Sequence, residues 1–387
     1  MKILQIHNEY KYRGGEDIVV EEEKKILLKN NCKVFQLIKK NINEITSIYK
    51  IINIVKNLNY SIISKNEVLD NLDRIKPDLV HIHNTFPLWS YSVIDACNEK
   101  KIPVVMTLHN FRMICANGTF YRNNQVCEKC LQSSVFNSVK YGCYQNSKLK
   151  SIPVSLMINN SNKGLSIVNK LNKIIVLSEF AKKKFLEANF PKNKIVVKPN
   201  FIFDKIKCKK NISKSGFLYA SRLSEEKGIL DLIKAFKKFN FDLNVCGDGP
   251  LKSKLENETK IKYLGFLSKK KLLNLLMKTK FLIFPSKCFE NFPTIFLQAF
   301  ALNVLVIAPK LGSMSTIIKD KHNGVLFKAN DVDDMIKKIK WVMSNDDKCN
   351  QIIKNAKKDL KKKYTESINY KILMDIYEKT IKENKNN

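Results

Sequence analysis

No stretch of about 18 uninterrupted apolar residues occurs in the 387-residue chain, which excludes a membrane-spanning helix. The first ten residues, MKILQIHNEY, carry no long apolar region and no cleavage site, so an intracellular, cytoplasmic protein is expected. Acidic residues are scarce: 36 Asp+Glu stand against 69 Lys+Arg, a formal net charge of +33. Such an excess suits nucleic acid, an anionic membrane or polyphosphate-like ligand, or a background rich in Lys, Asn and Ile. Helix-turn-helix, RNP and zinc-finger spacings are absent, and aromatic residues do not interleave with basic ones on a strand platform. A nucleic-acid partner is therefore not expected. The charge is also uneven. Residues 1–100 hold 15 basic and 13 acidic side chains, net +2, whereas residues 101–200 hold 16 and 3, net +13.

The chain does contain enough apolar residues for a sizeable core, at 44% hydrophobic and 10% aromatic. Its length predicts two or three domains. Residues 2–8 read as a first strand, followed by a glycine turn at Gly14-Gly15 and a helix from Ile18 to about Asn30. Further strands are expected at Lys33–Ile38, Leu79–Asn84, Pro103–His109 and 173–178, with Ser178 as the N-cap of the next helix. Strands alternating with helices predict an α/β fold with a parallel, doubly wound sheet. Ligands of such sheets bind beyond the carboxyl ends of the strands. His7-Asn8, His83-Asn84 and His109-Asn110 fall at those ends, so three of the five histidines share one topological position.

Residues 201–214 are polar, basic and without clear periodicity, and read as a linker. A second alternating series follows, with strands at Gly216–Ala220, Leu243–Cys246, Ile261–Leu264, Phe281–Phe284, Val304–Ala308 and Val325–Phe327. Two Rossmann-like doubly wound domains facing a cleft are expected. The domains are placed at 1–205, with a Cys-rich insertion at about 112–147, and at 206–365; a C-terminal helix occupies 366–387. In the second domain Arg222 and Lys227 lie in the loop after its first strand, just before a helix, a place suited to an anion. Gly247 and Gly249 close the next strand and allow close approach of a ligand to the backbone. A loop then carries Glu290, Asn291 and Phe292 up to Pro293, which marks the start of a helix bearing Gln298. The amides near Asn291 and Phe292 are placed to meet a phosphate or sugar, and Glu290 suits sugar hydroxyls.

Taken in order, residues 12–17 (YRGGED), 81–84 (HIHN), 107–110 (TLHN), 216–228, 247–250 (GDGP) and 290–301 resemble retaining glycosyltransferase family four, whose members have the GT-B fold. The resemblance spans essentially the whole chain. It implies transfer of a hexosyl or N-acetylhexosaminyl unit from a nucleotide-sugar donor, a UDP- or GDP-sugar, to an acceptor hydroxyl with retention of anomeric configuration. Capsule, O-antigen or exopolysaccharide synthesis is the implied setting, with a glycan or lipid-linked acceptor. By position, Arg222 and Lys227 resemble the pair that binds the donor diphosphate, where cations offset charge on the leaving group. Glu290 resembles the first acid of the family's Glu-x7-Glu motif, which contacts the donor sugar. His109 resembles the histidine near the reacting centre, and Gly14 and Gly15 the loop that meets donor phosphates and acceptor. Gly247, Gly249, Asn291, Phe292 and Gln298 complete the implied donor-binding set. No catalytic metal is implied. The last helix is implied to return to the first domain.

Two departures stand out. Gln298 replaces the usual second Glu, keeping hydrogen-bonding capacity without charge. Residues 312–316 (GSMST) lack the usual Pro-Glu. Nucleotide-sugar 2-epimerases share a similar fold and are the alternative enzyme class, but they lack the Arg-x4-Lys and Glu-x7-Glu pairing.

Four of the ten cysteines cluster as Cys115, Cys127, Cys130 and Cys143, a C-x11-C-x2-C-x12-C spacing. This pattern fits a structural tetrathiolate zinc site, free thiols or a redox pair. The cluster lies in the most basic quarter of the chain, followed by Lys148 and Lys150 and by apolar residues from Ile152 to Ile158. Peripheral contact with an anionic inner membrane and an ordinary lysine-rich surface are both consistent with that stretch.

Overall fold

The computed structural model describes residues 1–10, 14–41, 48–162, 166–203, 206, 212–256 and 258–385. Tyr12 and Arg13 of the glycine-turn motif lie outside the described residues, as does much of the expected linker. The chain divides into two units. The first comprises residues 1–120, 128–199 and 369–387, and the second residues 121–127 and 200–368.

The strands in chain order begin with β1 (Lys2–Glu9), β2 (Lys33–Lys40), β3 (Leu79–Ile82) and β4 (Val104–Leu108). A short antiparallel hairpin follows, β5 (Tyr121–Arg122) with β6 (Gln125–Val126). Then come β7 (Lys173–Val176), β8 (Ile195–Val197), β9 (Ser215–Ala220), β10 (Leu243–Cys246) and β11 (Ile261–Tyr263). The last are β12 (Thr279–Ile283), β13 (Leu305–Pro309) and β14 (Val325–Phe327).

The first unit holds a six-stranded sheet in the order β2-β1-β3-β4-β7-β8, parallel throughout. Strands β3 and β4 are buried at every position, as expected where helices cover both faces of a parallel sheet. Register pairs Ile6 of β1 with Ile82 of β3. The next residues along these strands, His7 and His83, therefore emerge at the same level of the sheet's carboxyl edge. Ser178 caps the helix Glu179–Glu187, its side chain accepting from the Ala181 amide at 3.1 Å.

The helix Glu366–Lys385 delivers Leu373, Ile376 and Tyr377 to the first unit's core, with Ile3, Leu27, Leu79, Val105 and Ile175. Each such apolar side chain contributes about 1.5–3 kcal/mol on burial. The boundary between units falls at Pro199/Asn200, a few residues before the expected 205/206. Residues 121–127, expected inside a first-domain insertion, belong with the second unit, where Asn124 accepts a hydrogen bond from Lys287 Nζ at 2.9 Å. Ile202 bridges to Thr365 within the second unit, so the start of the expected linker is part of that unit.

The second unit repeats the architecture, in the order β11-β10-β9-β12-β13-β14. Phe217 stacks on Phe241 and Phe281 at centroid distances of 5.0 and 4.9 Å, filling one face of the sheet. Asp331, whose Asp-x-Asp spacing could suggest a metal, is the N-cap of the helix Val332–Met343 and accepts from the Asp334 amide at 2.9 Å.

Among the described residues, one lysine–carboxylate pair lies wholly inside the first unit. Lys198, just past β8, pairs with Glu23 on the helix Gly15–Lys29, and neither side chain is exposed to solvent. Removing one partner of such a pair strands the other charge in the core. Lys198→Ala is expected to destabilise the first unit by about 3–5 kcal/mol, seen as an earlier urea transition. A transition unchanged from wild type would contradict this.

Candidate functional site

In the second unit, loops from three neighbouring strand ends touch through their backbones. Gly228 has φ +73°, and a Cβ there would stand 1.9 Å from the Pro285 carbonyl oxygen. Gly247 has φ +139°, and its Cβ would stand 1.9 Å from the Ser221 oxygen. Only glycine meets both demands. The loops after β9, β10 and β12 are thereby drawn together.

Lys227 and Glu290 meet at this junction, with Nζ 2.5 Å from Oε1. Ser286 Oγ donates to the same Glu290 oxygen at 2.6 Å. Burial pulls the Lys227 ammonium down, but the Glu290 charge and hydrogen bond outweigh it and raise the group above its ordinary value. Lys227 is thus a fixed cation. Cys288 lies close by, its thiol pushed up to about 12 by burial and by Glu290, and so is neutral. Lys287 Nζ is tied to Asp231 and its amide to the Glu226 carbonyl, which anchors the loop. Arg222 is exposed, and its guanidinium makes no hydrogen bond or ion pair among the described residues. Gly249 donates to the Asp248 side chain at 2.8 Å. Asn291 and Phe292 are buried, and Gln298 follows on the helix Thr294–Ala301, whose N-cap is Pro293. The Gln298 side-chain oxygen Oε1 is buried without a hydrogen-bond partner among the described residues.

In the first unit, Gly14 is the N-cap of the helix Gly15–Lys29 and donates its amide to Asp17 Oδ2 at 2.7 Å. The other Asp17 oxygen accepts from His7 Nε2 at 2.8 Å, with both side chains buried. Trp89 Nε1 donates to the His7 carbonyl at 3.1 Å. His83 Nδ1 lies 3.0 Å from His109 Nε2, and the two rings stack at 5.3 Å. His81 Nε2 meets Thr107 Oγ1 at 2.7 Å and its Nδ1 meets the Tyr377 hydroxyl at 2.6 Å. Burial lowers His83 and His109 well below the ordinary imidazole value, helped by neighbouring rings and Lys198, and lowers His81 to about 4. These three histidines are neutral near pH 7.

Glu23, Lys198 and Trp89 were not singled out from the sequence. Glu23 shares the buried face of its helix with Val19, Val20, Ile26 and Leu27, and a carboxylate within such a stripe is the signal that could have found it. Of the clustered cysteines, Cys115 is buried and its thiol donates to Asn117 Oδ1 at 3.0 Å, while Cys127, Cys130 and Cys143 are half-buried. Cys127 belongs to the second unit and the other three to the first. Among the described residues, the group of three potential metal ligands is Glu23, His81 and His83.

Two doubly wound parallel sheets, each with candidate site residues at its carboxyl edge, define a GT-B protein. Residues 39–204 match the family model described as Glycosyltransferase Family 4, and residues 202–359 match Glycosyl transferases group 1. The chain belongs to this glycosyltransferase family and transfers a sugar to an acceptor. An uncharacterised glycosyltransferase of Methanocaldococcus jannaschii is 26% identical over 291 residues, covering 74% of this chain and 71% of the relative. A Campylobacter jejuni α-1,4-N-acetyl-D-galactosaminyltransferase, named as acting on an undecaprenol-diphosphate-linked glycan, is 24% identical over 191 residues, 46% of this chain and 53% of its own. Among solved structures, the Anabaena protein HepE in complex with UDP and glucose aligns with TM-score 0.69 at 16% identity, over 97% of this chain and 99% of its own. Sucrose-phosphate synthase from Thermosynechococcus elongatus aligns with TM-score 0.72 at 13% identity, over 98% of both chains. These two likenesses establish the fold.

Glu16 supplies a pH-dependent test of the first-unit loop. One of its oxygens accepts from the Tyr10 hydroxyl at 3.0 Å, and the other is buried without a hydrogen-bond partner among the described residues. Burial pushes its carboxyl up to about 8, with the Asp17 charge adding to the rise against the Tyr10 hydrogen bond. Between the ordinary carboxylate range and pH 8 the folded state therefore holds a proton that the unfolded chain has lost. Stability falls as pH rises through that window. Melting temperatures at pH 5 and pH 8 should show a smaller fall for Glu16→Gln than for wild type; an equal fall would refute the buried, protonated carboxyl.

Proposed function

We propose that this protein is a retaining glycosyltransferase that moves a hexosyl or N-acetylhexosaminyl unit from a UDP- or GDP-sugar to a glycan acceptor, lipid-linked in cell-surface polysaccharide synthesis. The observation that carries the proposal is the Lys227–Glu290 pair at the strand ends of the second unit, with an unpartnered Arg222 in the same loop. Two permanent cations at such an edge suit a donor diphosphate and offset the charge that builds as it leaves. Glu290, held in place by Lys227 and Ser286, is oriented to accept from sugar hydroxyls. The buried Gln298 Oε1 offers an acceptor to a ribose hydroxyl without adding negative charge. In the first unit, His109 contacts the donor sugar, and Gly14 and Gly15 leave room for phosphate and acceptor. The HepE complex with UDP and glucose and the lipid-linked substrate in the Campylobacter enzyme's name support the substrate classes.

A thermal-shift screen with UDP-, GDP- and ADP-sugars is expected to find one donor that stabilises the native protein. Arg222→Ala should lower transfer by about 100-fold or more while leaving the unliganded melting temperature near wild type, and Lys227→Ala should lower transfer as far with a lower melting temperature, because it leaves the Glu290 carboxylate without its partner. Full turnover by both variants would sink the assignment.

Membrane contact has its own support. On the helix Lys148–Asn162, Leu149, Ile152 and Leu156 are exposed at helical spacing, and Lys148 and Lys150 flank Leu149. An apolar stripe edged by lysines suits an anionic bilayer surface. Vesicles containing anionic lipid should float more protein than neutral vesicles, and Leu149→Glu with Ile152→Glu should abolish the difference. Equal recovery on both vesicle types would remove the membrane contact.

A further inference from the structure

Glu23 Oε2 and His83 Nε2 are among the buried polar atoms of the first unit that lack a hydrogen-bond partner among the described residues. They face each other at 3.6 Å, with both side chains sealed from solvent. The gap exceeds hydrogen-bond length, yet the interaction acts across a low-dielectric interior. Glu23 Oε1 is paired with Lys198, so the carboxylate presents only acceptor capacity toward the imidazole.

A neutral imidazole carries one proton. Placed on His83 Nδ1, it would leave the bare Nε2 lone pair against a carboxylate, an arrangement of like charge density in an apolar core. Placed on Nε2, it points an N–H at the carboxylate. The second tautomer is favoured, and it makes His83 Nδ1 an acceptor. His109 Nε2, 3.0 Å away, must then be the donor. That leaves the lone pair of His109 on Nδ1, which makes no hydrogen bond among the described residues and belongs to a half-buried ring.

We infer that Glu23 and Lys198 are positioning residues that act through His83 to fix His109 as its Nε2–H tautomer, so that His109 presents an acceptor to a ligand hydroxyl. The groups facing this chain are consistent with it. His81 packs 4.0 Å from His83, and both its nitrogens are engaged, by Tyr377 and Thr107. His7 is tied to Asp17 on the far side. Burial keeps His81, His83 and His109 neutral, so one proton per ring is the right count. Glu23, His81 and His83 also have the spacing of a three-ligand metal site. A divalent cation there would share its carboxylate with the Lys198 ammonium and displace the Tyr377 hydrogen bond, so the tautomer relay is the favoured reading. The role for His109 rests on the proposed sugar transfer; the tautomer does not.

Long-range proton–nitrogen correlation spectra of full-length protein labelled with 15N-histidine test the relay at pH 7, with signals assigned through single His→Gln variants. The expected pattern is Nε2 protonated and Nδ1 bare on both His83 and His109. A proton on Nδ1 of either ring, or a His83 bare at both nitrogens with bound metal, overturns the inference. In Glu23→Gln the His109 signals should report mixed tautomers, and donor Kd should rise about threefold to tenfold, because the acceptor offered to the donor hydroxyl is no longer fixed. A wild-type pattern in that variant also overturns it. If no donor is turned over by any form of the protein, the spectra still decide the relay, and only the functional reading fails.

Discussion

The first unit is organised around the Glu23–Lys198 pair. Four separate pieces of chain converge on it: the helix Gly15–Lys29, the residue following β8, the histidines at β3, and the C-terminal helix through Asn369 and Tyr377. Asn369 also donates to the Pro199 carbonyl at 2.7 Å, at the last residue before the chain passes into the second unit. Two charges taken from water carry a penalty of several kcal/mol each, so the pair is a poor source of stability compared with an apolar replacement. What it provides is position. A carboxylate fixed by an ammonium can orient neighbouring imidazoles, which a leucine cannot do.

The second unit solves a different problem. Its Lys227 is held at a strand edge, and backbone crowding fixes the loops around it. Gly228 against Pro285 and Gly247 against Ser221 leave no room for a Cβ, so three loops share one rigid junction. Lys227 keeps its proton because Glu290 outweighs the effect of burial. The Glu290 oxygen that meets Lys227 also takes the Ser286 hydroxyl, which fixes the carboxylate from two directions.

Much of this was readable from residue order. β3 and β4 appear as apolar runs because both of their faces are buried, and β10 and β14 fall where the alternating pattern places them. His7, His83, Arg222 and Lys227 were legible because strand ends in a parallel sheet are fixed by topology. Glu23 and Lys198 were not, since their pairing joins residues 175 apart, and neither type of residue advertises burial. The hairpin β5–β6 has two residues per strand, too few for any period to show. Its grouping with the second unit depends on contacts such as Asn124 with Lys287, which no local pattern encodes.

The electrostatic contrast between the units bears on the large positive charge of the chain. Lysine is abundant at the surface, where solvent screens it. At the carboxyl edges of the two sheets the charge is selective. The second unit keeps Lys227 and Arg222 as permanent cations, the groups suited to a diphosphate. The first unit brings three histidines together and holds all three neutral by burial. A neutral imidazole discriminates by the direction of a hydrogen bond, and its direction is set by whichever nitrogen carries the proton. Sugar hydroxyls are uncharged and differ from one another mainly in orientation. On the proposed reading, a fixed acceptor distinguishes them better than another positive charge would, and a buried carboxylate acting through two imidazoles is a way to fix it.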